Sequence, residues 1–157
     1  IIDGTTNATK TVSAWTRHRA IAVNPVTDKI YVANFNSANV TVITGTTNAT
    51  QTVSAGDKPY AVAVNPATNK IYVANENSDN VTVIDGTDNS TQTVSAGTTP
   101  YAVAVNPGTD KISVANYDRD NVTVITGTTT ATQTGSARAR PHADTVPPAT
   151  DQIYVPN

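Results

Sequence analysis

Short apolar runs of Val, Ile and Ala alternate along this chain with clusters of Asn, Asp, Pro, Gly and Thr, and the alternation itself recurs. From Tyr60 to Gly97 the chain reads YAVAVNPATNKIYVANENSDNVTVIDGTDNSTQTVSAG. The pattern predicts four strands, Tyr60 to Val64, Lys70 to Asn75, Val81 to Asp85 and Thr91 to Ser95, joined by turns. Asn65-Pro66 starts a turn, because proline presets φ and lacks an amide hydrogen while the asparagine side chain closes a local hydrogen bond. Asp85-Gly86 is expected to turn through a glycine at positive φ. Asn24-Pro25, Asn65-Pro66 and Asn106-Pro107 stand 41 residues apart, so the chain is one unit written nearly four times.

Polarity across the four segments selects the architecture. In the first strand Ala61 and Ala63 point one way and Val62 and Val64 the other, so both faces are apolar and small. The second and third strands keep both faces buried with larger groups, Ile71 with Val73, Tyr72 with Ala74, Val81 with Val83. By the fourth strand the composition is Thr91, Gln92, Thr93, Val94, Ser95, an outer edge meeting water. A β-sandwich would alternate cleanly with one wet face. A parallel β-helix would make the two half-periods alike, and they differ. The expected fold is all-β, a β-propeller of four-stranded antiparallel blades with a 41-residue repeat and about four blades per chain. Residues 1–157 form one propeller or half-propeller, with copies near 19–59, 60–100 and 101–141, and a split fourth blade from 142–157 plus 1–18.

VNPATNKIYVAN and VNPVTDKIYVAN resemble the YVTN-family β-propeller repeat, with the Tyr-Val-x-Asn core at Tyr31 to Asn34 and Tyr72 to Asn75, the preceding Asn-Pro and the following Val-x-Val-Ile in fixed order. The resemblance covers the whole chain. It implies a secreted or cell-surface protein, in the manner of surface-layer components, and a family habit of about seven blades. Ser113 replaces the tyrosine in the third copy. The last copy carries Asp144, Thr145, Pro147 and Pro156 against the pattern, and proline cannot donate to a ladder, so that copy is expected to pair poorly or at an edge.

Composition adds limits. The 157 residues include no Cys, which removes disulfides, thiolate catalysis and cysteine metal sites. Net charge is −2, so bulk attraction to nucleic acid or an anionic membrane is not expected, and no apolar run approaches a membrane span. Ile1 to Gly4 align with Val83 to Gly86 except at the first position, where Ile stands for Val, and Asn157 aligns with Asn75; the loose ends therefore sum to about one further blade, seven residues short. Three assemblies fit this layout: a four-bladed ring within one chain, two chains completing an eight-bladed ring, and a piece of a longer propeller with sticky edge strands.

Comparing copies locates the candidate chemistry. The turns between first and second strands, NPVTDK, NPATNK, NPGTDK and PPATDQ, scarcely change. The blade-to-blade connections change greatly, as do the second-to-third-strand turns, with Phe35, Glu76 and Tyr117-Asp118-Arg119 at matching places. Both variable sets are expected on one face. Trp15, Arg17, His18, Arg19, Lys58, Tyr117, Arg119, Arg138, Arg140 and His142 fall there. The arginines would supply forked donors for carboxylates or phosphates, and Trp15 and Tyr117 flat contact area, for a protein or acidic-glycan partner; drifting loops with solubilising charge would produce the same list. His18 and His142 lack a carboxylate pair at metal spacing, and no metal or cofactor is expected. Asp118 and Asp120 are expected to make turns, not a calcium loop.

Six Asn-x-Ser/Thr triplets follow from the repeat. Asn7, Asn48 and Asn89, in third-to-fourth-strand turns, are the better glycan acceptors; Asn39, Asn80 and Asn121 open third strands and would be awkward ones. No Ser-His-Asp order, phosphate loop or carboxylate dyad is present. The reading is a non-catalytic interaction scaffold that also self-associates; the alternative is a metal-dependent lactonase-like hydrolase, which needs acidic residues around the channel mouth.

Overall fold

The computed structural model describes residues 1–2, 5–137 and 140–141. Among these residues twelve strands form three four-stranded sheets. The first holds β1 (His18–Asn24), β2 (Lys29–Asn34), β3 (Asn39–Thr44) and β4 (Thr50–Ser54). The second holds β5 (Pro59–Asn65), β6 (Lys70–Asn75), β7 (Asn80–Asp85) and β8 (Thr91–Ser95). The third holds β9 (Pro100–Asn106), β10 (Lys111–Asn116), β11 (Asn121–Thr126) and β12 (Thr132–Ser136). Each sheet is an antiparallel meander in sequence order, and β1, β5 and β9 lie side by side as the innermost strands. These are propeller blades. The expected strands of the second blade match within a residue at each end.

Two cores lie between the blades, and alternation along each strand assigns residues to them. Tyr31, Val40, Val42 and Val53 from the first blade meet Val62, Val64, Ile71, Val73 and Ile84 from the second. Ala61, Tyr72, Ala74, Val81, Val83 and Val94 from the other face of that blade meet Val103, Val105, Ile112, Val114 and Ile125. Both faces of the middle blade are thus buried, as the sequence pattern requires, each fully buried Val or Ile contributing about 1.5–3 kcal/mol. The fourth strand faces water, with Thr91, Gln92 and Thr93 exposed and Val94 buried.

The residues equivalent to Val62, Val64, Ile71, Val73 and Ile84 are Ile21, Val23, Ile30, Val32 and Ile43 in the first blade. They line a groove of about 450 Å³ with Ile1, Lys10, Thr11, Val12, Ala14 and His18. Ile2 bridges Thr9, repeating the Ile43 to Thr50 pairing, so the N-terminal segment stands as the outer half of a preceding blade. The inner half of this face stays open, Ile21 being 65% and Val23 54% exposed.

Asparagine side chains tie the repeat together. At the lower face the Asn24, Asn65 and Asn106 side chains accept the N–H two residues on, at 3.0, 3.1 and 3.0 Å. Asn24 Nδ2 also donates to Asn69 Oδ1 at 2.9 Å, and Asn65 Nδ2 to Asp110 Oδ1 at 2.8 Å, in the next blade. The acceptors sit at φ 53° and 52° and press on the third-to-fourth-strand turn, where a Cβ on Gly86 would lie 2.3 Å from Asn69 Oδ1. Gly86 therefore serves close approach and does not take positive φ; that conformation falls to Asn89, at 64°, which corrects the expectation for this turn. At the upper face Asn34, Asn75 and Asn116 donate to Asn39 and Thr41, Asn80 and Thr82, and Asn121 and Thr123. Sequon residues Asn39, Asn80 and Asn121 are thereby engaged within the blade.

Candidate functional site

The upper face carries the second-to-third-strand turns and the blade connections, as the copy comparison anticipated. The backbone explains how it presents side chains. Each innermost strand opens with a register shift that leaves Arg19, Tyr60 or Tyr101 out of the pairing, and a bulge re-aims its extra residue. The preceding connections contain Arg17, Lys58, Thr99 and Arg140 at φ 59°, 53°, 56° and 56°. Cations and aromatics are thus turned out beside one another at equivalent points of successive blades.

They form a stack. The Arg19 guanidinium lies 4.2 Å from the Tyr60 ring centroid, Tyr60 is 3.9 Å from Tyr101, and Tyr101 is 5.4 Å from Tyr117. Arg140 closes the far end, 5.6 Å from the Tyr117 ring. Phe35 meets Tyr60 edge-on at 6.1 Å, with Arg17 and Lys58 each 5.6 Å from its centroid. Arg19 Nη2 donates to the Tyr60 hydroxyl, which donates to the Tyr101 hydroxyl. Burial first, and then the bond to Tyr101, push the Tyr60 phenol above its ordinary range while Arg19 pulls it down. The bond to Tyr60 raises the Arg19 guanidinium, keeping it charged.

Three carboxylates of this face accept hydrogen bonds elsewhere, while Glu76, at the position equivalent to Phe35 and Tyr117, keeps its Oε2 buried without a hydrogen-bond partner. Asp118 accepts from Thr99 Oγ1 at 2.6 Å, Asp79 from the Thr99 N–H at 2.9 Å and Asp120 from the Arg140 N–H at 2.8 Å. Among the described residues, none of Arg17, Arg19, Lys58 and Arg140 forms an ion pair. The face thus holds four cations beside an aromatic row. No group of three His, Cys, Asp or Glu side chains placed to hold a metal occurs among the described residues, and no helix there is long and apolar enough to cross a membrane.

The candidate residues from sequence separate accordingly. Arg17, Arg19, Lys58, Tyr117 and Arg140 come together in this row. Trp15 does not: it stands 53% exposed near the outer strands, its Nε1 donating to Thr52 Oγ1 at 3.1 Å, so the flat area assigned to it lies elsewhere. His18 lines the open groove on the first blade, and Arg119 donates from Nε to Thr98 Oγ1 at 3.1 Å. Arg138, His142 and the rest of the degenerate last copy lie outside the described residues. Sequence reasoning noted Phe35 among the variable turns but left it, Tyr60 and Tyr101 out of the candidate set. The signal was the 41-residue alignment of Arg19 with Tyr60 and Tyr101. Of the glycan candidates, Asn7 is exposed, Asn48 is half-buried, and Asn89 donates its Nδ2 to Gln51 Oε1 at 2.7 Å.

The family model described as "Lactonase, 7-bladed beta-propeller" matches residues 43–152, and the chain belongs to that family. Among solved structures it is similar to one titled Kuenenia stuttgartiensis Hydrazine Synthase, with a TM-score of 0.83 and 20% identity over 97% of this chain and 45% of that one. It is similar also to a functionally unknown protein from Desulfotomaculum acetoxidans DSM 771, with a TM-score of 0.75 and 14% identity over 88% of this chain and 48% of that one. A third likeness, to U3-55K, has a TM-score of 0.72 and 12% identity over 81% of this chain and 42% of that one. The chain thus spans less than half the length of these structures, and at such identities they show the fold alone. No curated protein matches it in sequence.

Proposed function

We propose that the chain is a non-catalytic propeller scaffold of the YVTN-repeat type, secreted or displayed at a cell surface, whose upper face binds a protein or glycan partner. The observation that carries the reading is the asymmetry between faces. Lower turns repeat one asparagine-based construction, whereas upper loops differ from blade to blade and hold four cations that form no ion pair among the described residues. A protein whose loops served only to connect strands would have no call for side chains turned out at bulges. The open inner half of the first blade supports assembly with further blades, from a second copy or from a longer chain.

The test is a glycan array probed with the chain and with two charge-altered variants. Arg17→Glu with Arg140→Glu changes the upper face, and Thr68→Glu with Thr109→Glu the lower. Binding lost only in the upper-face variant supports the scaffold reading; binding lost only in the lower-face variant overturns it. The second reading, a metal-dependent lactonase-like hydrolase, draws support from the family match. Acid release from a lactone panel in the presence of divalent metals would establish it against the scaffold.

A further inference from the structure

We infer that the Arg19–Tyr60–Tyr101–Tyr117–Arg140 stack is a binding site for an acidic polysaccharide built of uronate sugars. The inference rests on the reading of the upper face as the binding face and names its ligand class. Hydrogen-bond polarity is the first ground. Protons run from Arg19 to Tyr60 to Tyr101, so the Tyr101 O–H ends the run, and among the described residues no acceptor takes its proton. The run is open at its acceptor end. An anionic oxygen is the group that completes it, because hydrogen bonds to charged acceptors are the stronger kind.

The guanidiniums are the second ground. Arg19 and Arg140 lie against tyrosine rings at either end of the stack, which holds their planar forks in place and reduces the entropy lost on meeting a carboxylate. Arg17 and Lys58 add charge beside Phe35. The spacing of the cations by rings is the third ground. Polyphosphate presents charge at every unit and nothing apolar, and would favour cations packed side by side. A uronate chain carries hydroxyls and C–H surfaces between its carboxylates, matching the three phenol rings that lie between the terminal Arg19 and Arg140 forks.

The probe is polygalacturonate, measured by calorimetry beside neutral dextran and inorganic polyphosphate, at low and at raised salt. Polygalacturonate is expected to bind, to weaken as salt rises, and to lose about tenfold in affinity with Arg19→Gln and several-fold with Tyr101→Phe, which keeps the ring. Lys111→Gln, at the lower-face start of β10, is expected to bind as the parent does. Circular dichroism confirms that each variant keeps its strands. Polyphosphate binding without polygalacturonate binding overturns the polysaccharide assignment and leaves the upper face as a binding face. Equal binding of dextran, or affinity indifferent to both stack substitutions, overturns the site. Loss of polygalacturonate binding in Thr68→Glu with Thr109→Glu but not in Arg19→Gln overturns the underlying reading as well.

Discussion

Replacing Asn65 by Asp changes one atom's chemistry at the lower face and inverts a contact between blades. Asn65 is fully buried; Oδ1 accepts the Ala67 N–H at 3.1 Å and Nδ2 donates to Asp110 Oδ1 at 2.8 Å. The first bond survives in Asn65→Asp. The second becomes two carboxylate oxygens facing each other. Losing a hydrogen bond to a charged group costs about 1.5–3 kcal/mol. Two charges centred about 4 Å apart repel by about 4 kcal/mol at an effective dielectric of about 20, and relaxation offsets part of this. A loss of about 3–5 kcal/mol at pH 7 is expected, against about 2–3 kcal/mol for Asn65→Ala, which leaves Asp110 without its donor but adds no charge. The new carboxylate has a folded-state pKa raised above its unfolded value of about 4. Its deficit is therefore smallest below about pH 4 and grows as pH rises through the raised value. Urea unfolding at pH 4 and pH 7 reads both effects. Adding Asp110→Asn to Asn65→Asp restores a donor and acceptor in reversed order, with an asparagine at the position that Asn69 fills, there as acceptor, at the neighbouring interface, and is expected to recover most of the loss. A variant no worse than Asn65→Ala at pH 7, without pH dependence and unrelieved by Asp110→Asn, would refute the reasoning.

Other substitutions probe the remaining parts of the repeat. Ala38 sits at φ 47° where the equivalent Asp79 and Asp120 accept the N–H groups of Thr99 and Arg140. Ala38→Asp is expected to stabilise by about 0.5–1.5 kcal/mol in urea unfolding by supplying the same bond to Lys58. Gly86→Ala is expected to destabilise by about 1–3 kcal/mol, since its Cβ would meet Asn69. Gly135→Ala, with nothing within 4 Å of its Cβ, is expected to be neutral or stabilising by up to about 1 kcal/mol in the same assay. The buried Tyr72 hydroxyl has no partner, so Tyr72→Phe is expected to fall within about 1 kcal/mol of the parent at pH 8. Burial first, with Asp110 adding to it, raises the Tyr72 phenol above its unfolded value of about 10. The parent's contribution from this group is present below about pH 10 and lost as pH climbs through the raised value, so the variant is expected to lose less stability by pH 11.

The architecture was legible because each strand alternates between two buried faces, and Ile71 with Val73 against Tyr72 with Ala74 leaves no other layered arrangement. The turns were legible in part. Asn-Pro announced the local bond of Asn65, but its second bond reaches 45 residues ahead to Asp110, and no local rule encodes a contact between blades. Gly86 was read by backbone freedom, when its role is to leave room for Asn69. At the upper face, charge identified Arg17, Arg19, Lys58 and Arg140. The rings that organise them were hidden because Tyr60 and Tyr101 look like ordinary first-strand residues until the bulge places them outside the pairing. Trp15 misled for the opposite reason: it is conspicuous, yet it stands where Gly56 and Gly97 stand in the other copies, beside Thr52.

Amide hydrogen exchange, with and without polygalacturonate, tests most directly whether this propeller binds through its upper loops. The account predicts slowed exchange at residues 17–19, 58–60, 99–101 and 117–119, with the lower turns at 25–28, 66–69 and 107–110 unchanged. Slowed exchange confined to those lower turns, or none anywhere at saturating polymer, would contradict it.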